Sequence, residues 1–187
     1  QVTLFRPTVW NAVTADPFAF YGIDPSFTVE PVSHFDAQRS PFIPGSLGFT
    51  VNMWFYRNAL RRSERLSQFD LLYVRSPVLL PTLLNTNIPV VLELHSLPTY
   101  GRKTFVDACN RCRLVVCLTR AMQLALVSWG VDPSRTVVEP DGVDLEQFLR
   151  APYSEDAKKS LSIPAGHPVI GYAGSLVARN TLSKGVE

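Results

Sequence analysis

Four short apolar runs constrain this chain more than any other feature: Asp70–Arg75, Pro89–His95, Arg113–Thr119 and Arg135–Pro140. Each is dense in Leu and Val, and apolar at consecutive rather than alternate positions. Parallel strands covered on both faces have that pattern. Helix-sized segments separate the runs: Pro77–Leu84, Lys103–Cys109, and Thr119–Trp129 with Gly130 as its C-cap. Strand and helix alternating in this order predict an α/β fold built on a parallel sheet. With 46% apolar and 18% charged residues in 187, the chain can bury a core.

Upstream the signals are shorter. Gln1–Phe5 reads as a strand stopped by Pro7, Phe18–Tyr21 as one helical turn closed by Gly22, and Phe27–Val32 as a second strand. Ser33–Ser46 reads as loop. From Leu47 to Leu66 the period becomes helical, with Leu47, Val51, Trp54, Phe55, Leu60 and Leu66 on one side and Arg57, Arg61 and Arg65 on another. Downstream, Ser154-Glu155-Asp156 opens a short helix that Pro164-Ala165-Gly166 closes, and Pro168–Gly174 reads as a fresh strand ending in a glycine turn. The domain expectation is therefore residues 1–149, a linker over 150–166, and the first strand and loop of a second domain over 167–187. Position 1 is Gln, and the chain stops shortly after that second domain opens, so a fragment is expected.

Composition excludes some classes. A net charge of +2 is too small for the clustered basic footprint of a nucleic-acid binder. No apolar run approaches the roughly 18 residues of a membrane span. Three cysteines favour a reducing compartment, hence the cytoplasm, over a disulfide scaffold. Cys109-x-x-Cys112 with Cys117 lacks the second ligand pair of a zinc site, so no metal is expected. The arginines at 57, 61 and 65 offer a peripheral membrane contact or, with Glu64 interrupting them, simply a solvated helix face.

Ligands of open parallel sheets gather outside the carboxyl ends of the strands. Arg75, His95, Thr119 and the Asp141-Gly142 pair stand there, and His95 shares a strand face with Glu93. An imidazole in that place can hold a hydroxyl, stabilise a phosphate or move a proton; it can equally satisfy backbone groups at a strand end. Asp141 or Asp144 can cap the short helix through Phe148, with Gly142 supplying positive φ. Asp141 and Asp144 have no third metal ligand nearby in sequence. Gly174 and Lys184 could meet a phosphate, though the P-loop order is absent. His34 and His167 receive no role.

Taken in order, the segments D-L-L-Y-V-R-S, I-P-V-V-L-E-L-H, R-L-V-V-C-L-T-R-A-M, W-G-V-D-P-S-R-T-V-V-E-P-D-G-V-D-L-E-Q-F, V-I-G-Y-A-G-S-L and K-G-V resemble a glycosyltransferase of the GT-B fold, family 4 type. The resemblance covers about residues 65–187. It implies two Rossmann-like domains facing across a cleft, the acceptor mainly on the first and the nucleotide-sugar donor mainly on the second. It implies metal-independent transfer with retention of configuration, with no cofactor, to a glycan, lipid or small-molecule acceptor. His95 would lie near the reaction centre, with Arg75, Thr119 and Glu93 lining the cleft. Lys184 and Gly174 would receive the donor diphosphate, and Asp141 and Gly142 would form the turn at the cleft floor. Family members often carry arginine directly after the glycine of the G-Y-A-G strand; here it is Ser175, and Arg179 is the expected substitute. The family's first strand with its glycine-rich loop would precede Gln1, and its paired glutamates (E-x7-E) would follow Glu187, so the fragment is expected to be inactive alone. A nucleotide-sugar epimerase and a non-catalytic Rossmann-type binding module are the competing readings.

Overall fold

The structure, a computed structural model, describes residues 1–8, 15–37, 40, 42–150 and 154–171. It divides into two compact units, Gln1–Asp141 and Gly142–Glu187.

In the first unit the order is β1 (Thr3–Pro7), α1 (Pro17–Tyr21), β2 (Thr28–Val32), α2 (Gly45–Arg62), β3 (Leu72–Val74), α3 (Leu80–Leu83), β4 (Val90–Leu94), α4 (Arg102–Arg111), β5 (Leu114–Cys117), α5 (Arg120–Trp129) and β6 (Thr136–Val138). All strand pairs are parallel, but they form two sheets: β1–β2, and β3–β4–β5–β6 in sequence order. Pro7 stands opposite Val32 and Pro31 opposite Arg6, and neither has the N–H that a further ladder would use. The small sheet is tied to the rest through α2 and the segment after it. The Tyr56 hydroxyl donates to the Phe5 carbonyl at 3.4 Å, Phe5 meets Phe69 edge-on, and Arg65 pairs with Glu30.

The helix ends follow local chemistry. Asp16 accepts from the backbone N–H groups of Phe18 and Ala19, and Gly22 closes α1 at φ 64°. The Thr119 hydroxyl accepts from Met122 N at 3.2 Å to start α5, and Gly130, at φ 107°, ends it. Helix α2 departs from the expected face. Its buried positions include Asn52, Tyr56 and Leu60, while Leu47 and Trp54 lie open to solvent. Asn52 and Tyr56 can face inward because each has a backbone partner, Ala37 N and Phe5 O.

In the larger sheet, one face fills the core. Leu72, Val74, Val90, Leu92, Leu94, Val115 and Cys117 are each at most 8% exposed and share one apolar cluster with Leu80, Phe105, Val106, Cys109 and Leu126 from the helices. The other face carries Tyr73, Val91, Glu93 and Val116. Val91 and Val116 are buried there as well, as the apolar runs predict, and this second face turns polar only toward the strands' carboxyl ends, at Glu93.

The second unit contains α6 (Leu145–Leu149) and α7 (Ser154–Ser160). Helix α7 ends at Ser160, ahead of the expected Pro164-Ala165-Gly166 stop, because Ser162 and Ile163 turn back onto Lys159 and Lys158. Residues 168–171 form no strand, since none of the described residues of this unit offers them a ladder. The rest of the expected strand, with Gly174, Ser175, Arg179 and Lys184, lies outside the described residues.

Candidate functional site

Strand register builds the site. Tyr73 pairs with Val91 and Val74 with Leu92, so Arg75, one residue on, comes level with Glu93. Tyr73 and Arg75 lie two apart on β3 and its extension, and Glu93 and His95 two apart on β4, so all four project from one sheet face. The continuation of β6, where Glu139 N donates to Cys117 O, brings Asp141 to the same end. Single ligand atoms of Glu93, His95 and Asp141 all lie within 4.8 Å of one another.

These side chains are wired together. The Tyr73 hydroxyl donates to Glu93 Oε2 at 2.5 Å. His95 Nε2 meets Glu93 Oε1, and Arg75 Nε lies 3.3 Å from that same oxygen. Arg75 also places Nε 2.9 Å from His95 Nε2 and Nη2 3.2 Å from His95 Nδ1. Nε2 cannot accept from Arg75 while it donates to Glu93. The consistent tautomer has Nε2–H donating to the carboxylate and Nδ1 accepting from Arg75 Nη2.

Electrostatics follow the contacts. The Tyr73 hydrogen bond, then those from His95 and the Arg75 charge, hold the Glu93 carboxyl below its ordinary value against an opposing push from burial. Tyr73 is pushed up to about 12, first by desolvation of its hydroxyl and then by Glu93. Glu93 is therefore a fixed anion between two donors and a guanidinium. A divalent cation could be held by Glu93, His95 and Asp141, but only in competition with Arg75, which already supplies positive charge there.

Four of the residues singled out in the sequence, Arg75, Glu93, His95 and Asp141, thus meet. Thr119 stands at the end of β5 with its hydroxyl spent on capping α5. Gly142 is not in the left-handed region, and a Cβ added there would meet nothing within 4 Å, so this turn imposes no glycine through backbone strain. The expected arginine face is divided: Arg57 on α2 donates to Thr82 Oγ1 at 3.1 Å, whereas Arg65 lies past the end of α2 and pairs with Glu30. One participant, Tyr73, was missed in sequence, and its two-residue offset from Arg75 could have found it. Asp141 was singled out, but its meeting with Glu93 and His95 exists only in space.

Residues 5–147 match the sequence family described as Glycosyltransferase Family 4, and the chain belongs to that family. It is 34% identical over 77 residues to the D-inositol 3-phosphate glycosyltransferase of Kineococcus radiotolerans, a stretch that is 41% of this chain and 17% of that protein. Among solved structures it resembles HepE of Anabaena, crystallised in complex with UDP-glucose, with a TM-score of 0.51 and 19% identity over 72% of this chain and 36% of HepE. The α/β fold is that of part of a GT-B glycosyltransferase. The chain spans about a third of HepE and a sixth of the curated relative. Among the described residues no helix is long and apolar enough to cross a membrane.

Proposed function

We propose that this chain supplies the acceptor-side domain of a retaining, metal-independent glycosyltransferase that moves a sugar from a nucleotide-sugar donor to a glycan, lipid or small-molecule acceptor. The observation that carries the reading is the convergence of Tyr73, Arg75, Glu93, His95 and Asp141 at the carboxyl ends of parallel strands in a family 4 chain. In the reaction the sugar–diphosphate bond breaks, a bond forms to the acceptor oxygen on the same face, and the acceptor's hydroxyl proton is released. The barrier is lowered chiefly by fixed positive charge facing the departing diphosphate. Lys184 and Arg179 are assigned to that diphosphate, and Gly174 to its close approach. His95, oriented by Glu93, is assigned to the transferring sugar. Residues 167–187 begin the donor-binding domain in this reading, and the fragment alone does not turn over. Three free, buried cysteines support a reducing compartment and so the cytoplasm.

The experiment is turnover of the complete protein across a panel of nucleotide sugars, with and without His95→Ala. We expect a fall of roughly a hundredfold in kcat at unchanged melting temperature, the scale of losing a positioned polar group at a reaction centre. Near-normal turnover would remove His95 from the mechanism. No transfer from any donor by the unaltered protein would remove the reading as a whole.

A further inference from the structure

Both ring nitrogens of His34 are buried without a hydrogen-bond partner, and no other side-chain atom among the described residues is so placed. Buried polar atoms are normally satisfied, and an orphaned pair calls for a partner. The imidazole lines a pocket of about 420 Å³ together with Phe35, Trp54, Phe55, Asn58, Arg61 and Arg62. Trp54 is 59% exposed and Phe35 53%, on a helix and loop whose neighbouring apolar side chains found the core. The rings are mutually tilted: Trp54 meets Phe55 at 82° and 4.8 Å, and Phe35 meets Phe55 at 60° and 5.1 Å. Neither Arg61 nor Arg62 has an ion pair among the described residues, unlike Arg65. Among the described residues no carboxylate lines the pocket.

We propose that this pocket binds an anionic saccharide. The electron-rich aromatic faces suit the C–H face of a sugar ring. A turn of the His34 ring that brings a buried nitrogen to the pocket, together with Asn58, offers donors and acceptors for its hydroxyls, and Arg61 with Arg62 receives a carboxylate or phosphate on it. Each feature alone fits other ligands. A neutral sugar leaves the two arginines idle, a bare anion leaves the aromatic rings and His34 idle, and an anionic sugar uses all of them. None of the lining residues belongs to the Tyr73–Arg75–Glu93–His95 cluster, so the site adds a second recognition surface to the same unit.

Calorimetric titration of the full chain with glucuronate and with glucose 6-phosphate tests this, with glucose, acetate and inorganic phosphate as controls. Trp54→Ala, His34→Gln and the double variant Arg61→Ala/Arg62→Ala accompany it, their folding checked by circular dichroism. Expected are binding of at least one anionic sugar, weaker binding of every control, and a loss of about tenfold or more in the arginine double variant, the scale of a lost charge-assisted hydrogen bond. His34→Gln and Trp54→Ala should each weaken binding with the fold intact. Equal binding of acetate or phosphate would reduce the site to surface charge and overturn the proposal. So would the absence of binding at millimolar sugar, or binding to phosphatidylglycerol vesicles without any to the sugars. No nucleotide sugar is present in the titration, so its failure would leave the transfer reading standing.

Discussion

Arg75 and His95 lie side by side at the ends of neighbouring strands, with Nε 2.9 Å from Nε2 and Nη2 3.2 Å from Nδ1. A guanidinium that spans both ring nitrogens does more than neutralise Glu93. It selects the ring's orientation while Glu93 selects its tautomer. Because the two residues sit on separate strands, the arrangement depends on the β3–β4 register, in which Val74 stands opposite Leu92.

That geometry separates Arg75 from a generic cation. In the complete enzyme, Arg75→Ala is expected to lower kcat by roughly tenfold or more, the cost of a charge-assisted hydrogen bond. Arg75→Lys should restore only a small part of it, since an ammonium is a point charge and lacks the planar fork that reaches Glu93 Oε1 and His95 Nδ1 together. Steady-state kinetics of both variants decide the matter; full recovery with lysine would show that charge alone is required.

Glu93 and Tyr73 couple the same site to pH with opposite signs. The folded Glu93 carboxyl lies below its ordinary 4.5, so its stabilising contribution is complete above the ordinary carboxylate range and is lost as pH falls through the depressed value. The stability gap between the native chain and Glu93→Gln should therefore be widest near neutrality and close on acidification. The Tyr73 phenol is raised from 10.0 to about 12, so its contribution is present below 10 and disappears as pH rises through about 12. Denaturant melts of native, Glu93→Gln and Tyr73→Phe chains across pH test both, and gaps independent of pH would contradict them.

The parallel sheet was legible because consecutive apolar residues have few other uses. Val90 to Leu92 and Val115 to Cys117 are buried in a row, as such runs require. Helix limits at Thr119, Gly130 and Gly22 were legible for a local reason, a cap that works through its own backbone neighbours. What escaped was set by distant partners. The inward face of α2 depends on Asn52 meeting Ala37 and Tyr56 meeting Phe5, and neither contact leaves a trace in periodicity. Half of the site was legible on the same principle. Glu93 and His95 share a strand, so their common face follows from a period of two. Asp141 reaches them only once β5 and β6 are in register.

Cys109, Cys112 and Cys117 are free, fully buried and spread over α4, its end and β5. Burial pushes the Cys109 thiol up to about 12 and Cys112 up to about 11, so thiolate is scarce near neutrality. An aromatic disulfide reagent should label none of the three in the native chain and all of them in denaturant. Rapid native labelling would mean that the core around β5 opens far more readily than its packing indicates.

Gly130 and Gly142 should respond in opposite ways to the same substitution. Gly130 ends α5 at φ 107°, where an L side chain is strained, and its added Cβ would approach Val106 Cγ1 at 3.8 Å. Gly130→Ala is expected to cost about 1–3 kcal/mol in unfolding free energy, from backbone strain rather than collision. Gly142 has neither a left-handed φ nor any atom within 4 Å of a Cβ, so Gly142→Ala should leave stability unchanged. This turns the second variant into a clean functional probe. If the P-D-G-V-D turn floors a substrate cleft, Gly142→Ala in the complete enzyme should impair transfer while its melting temperature matches the native protein's. If transfer is also untouched, the glycine contributes nothing to catalysis, and the motif's role reduces to Asp141 meeting Glu93 and His95.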